Sequence, residues 1–294
     1  MRHAVYAPTF NDYGEPARLV ALAEAAERAG WDGFFIWDHL ALEPGGKLEL
    51  VDATVMLGAL AQATTRLRLG AMITPLARRR PWKFAKEMAT LDRLSGGRMV
   101  VGVGLGEPAP LEFEAFGEDG SARGRASRLD EGLQIFDRLV RGEQVDHHGA
   151  HYQLREAALA PRAKQQPRMP IWVAASLPAE AGLRRAARWD GVFPVRVPQA
   201  VLDGAPVTAL DWRDWWLTPS ELGALAARLA AMRGGLAGFD LLASGRLADA
   251  PRAAAAATIA AFAAAGATWY CEWVDEAAGS FEQTLAGIER GPPR

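Results

Sequence analysis

Apolar residues along this chain follow two alternating rhythms. Short apolar-rich runs at Ala4–Thr9, Trp31–Leu40, Leu67–Thr74, Met99–Val103, Pro170–Ala174, Asp190–Pro194, Phe239–Ala243 and Ala267–Trp273 each predict a buried strand. Between them, apolar residues recur at helical spacing, as with Leu19, Leu22, Ala23 and Ala26 ahead of the stop at Gly30. This spacing predicts helices over Glu15–Ala29, from a cap at Asp52 to Ala63, and over Pro81–Leu94, Gly124–Arg141, Ala179–Arg188, Ser220–Met232, Pro251–Ala265 and Phe281–Arg290. A hairpin is expected at Val145–Leu154, around Gly149, and Val195–Pro219 reads as irregular. Continuous apolar strands belong in parallel sheets covered by helices. Eight of them alternating with helices over 294 residues predict a (β/α)8 barrel rather than an open doubly wound sheet. The expected layout is one barrel domain over 1–294, with insertions near 105–123, 142–169 and 195–219.

Composition narrows the partners. With 50% hydrophobic residues the chain can bury a large core, and a net charge of -2 with a pI near 6.2 gives no electrostatic case for nucleic acid or an anionic membrane. A lone cysteine, Cys271, cannot form an internal disulfide, and no apolar run approaches the length of a membrane span. The expectation is a soluble cytoplasmic protein.

Barrel sites lie at the carboxyl ends of the strands, which directs attention to Thr9, Asp38, His39, Thr74, Gly104–Glu107, Ala175, Ser176, Pro194 and Glu272. His39, beside Asp38, is the best acid/base candidate, because imidazole titrates near neutrality; the competing reading is a hydrogen-bonded structural histidine. Glu107 reads either as a proton donor beside a glycine-rich mouth or as a solvated loop carboxylate. Gly102, Gly104 and Gly106 suggest a dinucleotide motif, but that motif opens a helix at once, whereas Pro108 and Pro110 follow here. His147, His148 and His151 read as a surface hairpin, and no metal site is expected. Arg78, Arg79 and Arg80 form either a solvated loop or a clamp on an anion. Trp212, Trp215 and Trp216 read as a lid or a cover. Ser176 offers its hydroxyl to a phosphate or caps a helix, with little to separate the two.

Several segments in order, GWDGFFIWDHL (30–40), LGAMITPLARRRPWKFAKEMATLDRLSGGRMVVGVGLG (69–106), EFEAFGE (112–118), RLDEGL (128–133), GEQVDHHGAHYQL (142–154) and PIWVAAS with RRAARWDGVFP (170–176 and 184–194), resemble the luciferase-like flavin-dependent oxidoreductases. The resemblance covers most of residues 1–194 and, more loosely, GATWYCEW and RGPPR near the end. It implies a (β/α)8 barrel, often homodimeric, binding reduced FMN or the deazaflavin F-420. The implied cofactor contacts are Thr9, Ala71, Met72, Ile73, Thr74, Gly104, Gly106, Ala174, Ala175 and Ser176, with a non-proline cis peptide between Met72 and Ile73. The implied catalytic residues are His39, with Asp38 beside it, and Glu107 as proton donor. The chain departs from the family where glycines usually hold the cofactor phosphate, reading Ala175, Ser176, Leu177, Pro178 instead. The leading expectation is an FMN-dependent monooxygenase type of oxidoreductase. Its alternatives are an F-420-dependent dehydrogenase or reductase and a non-catalytic flavin-binding barrel. Residues 195–219 match no family segment, so the substrate is not implied.

Overall fold

A computed structural model describes residues 1–202, 212–248, 250–275 and 279–293. Strands β1 (Arg2–Ala7), β2 (Gly33–Ile36), β3 (Arg68–Ala71), β4 (Thr74–Pro75) and β5 (Val101–Gly104) precede a two-stranded hairpin of β6 (Val145–His148) and β7 (Gln153–Ala157). Strands β8 (Ile171–Leu177), β9 (Gly191–Arg196), β10 (Asp240–Gly245) and β11 (Trp269–Trp273) follow. The large sheet is ordered β3-β2-β1-β11-β10-β9-β8-β5-β4, with parallel pairing throughout. Because β3 and β4 are two halves of one interrupted strand, and Leu69 bridges Met99 in parallel, the two ends of that order meet and the sheet closes into a barrel of eight positions.

The period-two alternation of the strands sorts side chains between two cores. Ala4 and Tyr6, Phe35 and Trp37, Val100, Trp172, Phe193, Leu242, and Trp269, Cys271 and Trp273 fill the barrel interior. Their neighbours Val5, Ala7, Phe34, Ile36, Val101, Val103 and Val173 face the surrounding helices. Those helices start where chain chemistry allows: prolines occupy the first turn at Pro16, Pro81 and Pro219, and capping boxes at Thr218–Glu221 and Ser280–Gln283 satisfy free N–H groups.

Three local expectations need correction. The run Leu67–Thr74 is not one strand, because it bulges at Met72–Ile73, where the peptide is cis, before pairing resumes at Thr74 opposite Val103. A short helix, Ala109–Glu112, does follow the glycine mouth; Glu107 Oε2 accepts the Ala109 N–H at 2.9 Å and holds its first turn. The segment expected to be irregular continues β9 to Arg196 and contains short turns at Gln199–Leu202 and Trp212–Trp215, while 203–211 lie outside the described residues.

The glycines of β5 have a structural use. A Cβ on Gly102 would run into the Ala71 carbonyl oxygen and come within 2.6 Å of Met72 Sδ, and one on Gly104 would sit 2.5 Å from Ile73 Cδ1. The bulge of the neighbouring strand occupies the room the glycines leave, so their clearance is filled by protein rather than kept for a ligand ring. Gly102→Ala is therefore expected to destabilise the fold by about 1–3 kcal/mol through overpacking. Gly58→Ala, on an exposed helix with Leu91 Cδ2 no nearer than 3.9 Å, should leave stability unchanged or raise it by up to about 1 kcal/mol. Urea denaturation of both variants checks the contrast; equal effects would count against the bulge as the reason for Gly102.

Candidate active site

His39 continues the inward series of β2. Phe35 and Trp37 point into the barrel, and the His39 ring stands 5.8 Å from that of Trp37, just past the strand's carboxyl end. Its Nδ1 lies 3.1 Å from Oε1 of Glu112, which also accepts the Leu40 N–H at 2.9 Å and the Ala41 N–H at 3.4 Å. Glu112 has no solvent-exposed side-chain surface, and its Oε2 is ion-paired with Nη1 of Arg78. Arg78 Nη2 donates to Asp38 Oδ1 at 2.6 Å, and Arg79 Nη2 reaches Asp38 Oδ2 at 2.9 Å. Asp38, Glu112, Arg78 and Arg79 thus form a buried chain of alternating charge behind the imidazole.

The electrostatics follow from this burial. Desolvation pushes the His39 pKa down to about 4, the nearby Asp38 carboxylate opposes the shift, and Arg78 adds to it. At neutral pH the ring is uncharged. A carboxylate can only accept hydrogen bonds, so the ring's single proton sits on Nδ1 facing Glu112. Nε2 is then a lone-pair acceptor with no protein partner among the described contacts, on a side chain that keeps 20% of its surface exposed. The arrangement can take up a proton from a molecule in the mouth.

The other candidates are distributed around this point. Thr9 is buried, its hydroxyl 3.5 Å from the Trp37 carbonyl oxygen, and Ala71 ends β3. The Met72 N–H donates to Ile36 and the Met72 carbonyl accepts from the Tyr6 hydroxyl; Ile73 is half-buried and Thr74 fully buried. Gly104 lies against Ile73 and Ala174, while Gly106, at φ 83°, packs beneath Pro75 and Phe113. On β8, Ala175 faces outward against Gly182, and Ser176 is exposed at the strand end. Trp216 covers the interior cluster, 5.8 Å from Trp273, and its indole N–H is buried with no partner among the described residues; the Trp212 side chain lies outside them.

Some candidates are not bonded into the network around His39. Glu107 does not enter the His39 network. Its side chain is 62% exposed and accepts from Arg125 at 2.9 Å, while Arg125 also ties down the Gly106 carbonyl. Glu272 faces outward and accepts the Leu247 and Ala248 N–H groups. His147, His148 and His151 bond separately to Glu131, Gln153 and Ser127. Of the arginine run, Arg78 and Arg79 are committed to buried carboxylates, and Arg80 lies exposed over Trp82. Reasoning from the sequence missed Glu112. Its only signal was a carboxylate inside EFEAFGE, one short helix beyond the glycine mouth.

The luciferase-like monooxygenase family profile matches residues 1–203. The chain belongs to that family. An uncharacterized protein of Mycobacterium bovis is 30% identical over 244 residues, covering 78% of this chain and 74% of that protein. An F420-dependent glucose-6-phosphate dehydrogenase of Microbacterium testaceum is 35% identical over 181 residues, covering 60% of this chain and 52% of that enzyme. The chain thus matches about half the length of such curated dehydrogenases. Among solved structures, the coenzyme F420-dependent tetrahydromethanopterin reductase of Methanopyrus kandleri aligns with a TM-score of 0.74 at 17% identity, covering 99% of this chain and 98% of that one. Monooxygenase RslO1 of Streptomyces bottropensis aligns at 0.72 and 22% identity, covering 98% and 96%. These two likenesses establish the barrel fold. No helix among the described residues is long and apolar enough to cross a membrane.

Proposed function

We propose that this protein is an oxidoreductase that works on a small organic substrate at the barrel mouth with a flavin-type cofactor, and that it transfers hydride with the deazaflavin F420. The observation that carries this reading is the neutral His39, held through Nδ1 with Nε2 open as a proton acceptor. Oxidising an alcohol by hydride removal requires its hydroxyl proton to leave as well, and an uncharged imidazole with Nε2 open to the mouth can accept it. Nε2 of His39 would take the proton of the substrate O–H, and return it in the reverse direction, while the hydride leaving the substrate carbon would go to the bound deazaflavin. The relatives named as F420-dependent dehydrogenases support the same reading.

The residues present fit such a cofactor. Tyr6, Trp37, Phe193, Trp216 and Trp273 make an aromatic interior, Ile73 is only partly covered, and the Trp216 indole N–H has no partner among the described residues. Those groups would hold a planar amphipathic ring, and Ser176 at the end of β8 would meet a phosphate. When bound, the flavin or deazaflavin supplies the two-electron step. The chain contributes orientation, exclusion of water and the proton site at His39. Glu107, exposed beside Arg125, is proposed as a second proton carrier.

A second reading, reduced-FMN oxygenation, is favoured by the family's description and by the monooxygenase neighbour. Anaerobic titration with F420 and with reduced FMN in parallel separates the two. Quenching of F420 fluorescence, followed by its reduction on adding secondary alcohols or lactols, is the expected result. Binding of FMN alone, with oxygen consumed on turnover, would establish the second reading, and binding of either without turnover would make the protein a carrier. A homodimer, as the family resemblance implies, is part of the proposal and is read by light scattering.

A further inference from the structure

We propose that Glu112 is a positioning residue that fixes the tautomer and orientation of His39. The inference rests on the reading of His39 as the proton acceptor, but its central observable, the tautomer, does not depend on that reading.

A carboxylate behind a histidine ordinarily does two things at once. It accepts the Nδ1 proton, and its negative charge stabilises the imidazolium. Here the carboxylate is also held from behind by an arginine. Oε2 of Glu112 is ion-paired with Arg78, whose other terminal nitrogen is engaged by Asp38 at 2.6 Å, so a cation stands directly behind the carboxylate. Oε1 is left to act as a fixed acceptor for three donors that converge from one turn: His39 Nδ1 at 3.1 Å, Leu40 N at 2.9 Å and Ala41 N at 3.4 Å. The two backbone donors pin Oε1 whatever the ring does, so the ring adapts to the carboxylate. The opposite tautomer would set the Nδ1 lone pair against carboxylate lone pairs in a buried place, with the ring proton pointing out to the mouth. Such a ring would donate to a substrate hydroxyl, not accept from it.

The charged groups around the imidazole come from separate elements: Asp38 on its own segment, Arg78 and Arg79 after β4, and Glu112 on the short helix 109–112. Their alternation keeps the net local charge near zero, and a neutral, oriented base is the outcome.

Nitrogen-15 NMR of the imidazoles, with His39 assigned by its loss in His39→Ala, reads the tautomer directly. The unaltered protein is expected to show His39 as the single Nδ1–H form near neutral pH. Glu112→Ala should give a mixture of tautomers and lower kcat by at least about tenfold, while cofactor affinity changes little. Glu112→Asp keeps a charge opposite Arg78 but withdraws the acceptor by one methylene, so it should fold and show the same mixed tautomer even if the alanine variant does not. An Nε2–H ring in the unaltered protein, or an undisturbed tautomer in a folded Glu112 variant, would overturn the proposal. Full activity in His39→Ala would instead remove the base reading and leave the tautomer result standing.

Discussion

Replacing His39 with alanine is expected to lower kcat by about 100- to 10,000-fold, the usual contribution of a positioned proton acceptor, while F420 or FMN still binds. The ring's van der Waals contact with Trp37 is modest and its side chain is partly exposed, so the fold should survive its loss. The pH dependence of the unaltered enzyme gives an independent check. If His39 is the proposed proton acceptor, its working form is the neutral ring, and with a pKa lowered to about 4 this group's contribution to kcat/KM should be flat between pH 5 and 7 and fall only as pH drops through about 4. A histidine with an ordinary pKa would lose roughly 25-fold in its neutral form over the same interval. Steady-state rates across that range decide the point. An acid limb near 6.5 that disappears in His39→Ala would show a solvated histidine and remove the buried-base argument, and wild-type kcat in the variant would exclude His39 from proton transfer.

What the sequence could and could not reveal follows from the range of the interactions involved. His39 was legible because strand alternation is local: Phe35, Trp37 and His39 share a face, and a strand end in a barrel opens on the site. The interrupted third strand was not legible from hydrophobicity, since Ala71, Met72 and Ile73 read as an ordinary apolar run, and the family resemblance alone marked Met72–Ile73. Glycines in a strand mark a close approach, but one sequence does not say what approaches; at β5 it is Met72 and Ile73 from the adjacent strand. Glu107 and Glu112 show the same limit in reverse. Both follow the glycine mouth, and the two prolines between them hide the turn of helix that sends one carboxylate to solvent and the other, 73 positions from its partner, onto His39. Only the folded chain separates the exposed acid from the buried one.

The arginine run gives the sharpest separation of this kind, and an expected result with it. Arg78→Met should destabilise the protein by about 3–5 kcal/mol, whereas Arg80→Met, two positions on, should change stability by no more than about 0.5 kcal/mol. Nothing in RRR distinguishes these residues; their surroundings do. The Arg78 side chain is 4% exposed and stands between two carboxylates that are themselves buried, Asp38 and Glu112, so removing it leaves both to face each other's field without the cation that joined them. Breaking a buried pair costs more than the pair contributes, because the remaining charge stays out of water. Asp38 still has Arg79 and Glu112 still has three N–H donors, which places the loss toward the lower end of that range. Among the described residues Arg80 makes no ion pair; it lies over the Trp82 face at 5.9 Å, a contact that is weak at an exposed site. Urea denaturation of the two variants measures both numbers. Equal costs would mean that the buried chain from Asp38 to Glu112 does not hold the mouth together, and with it would go the argument that His39 is set in place by the charges behind it.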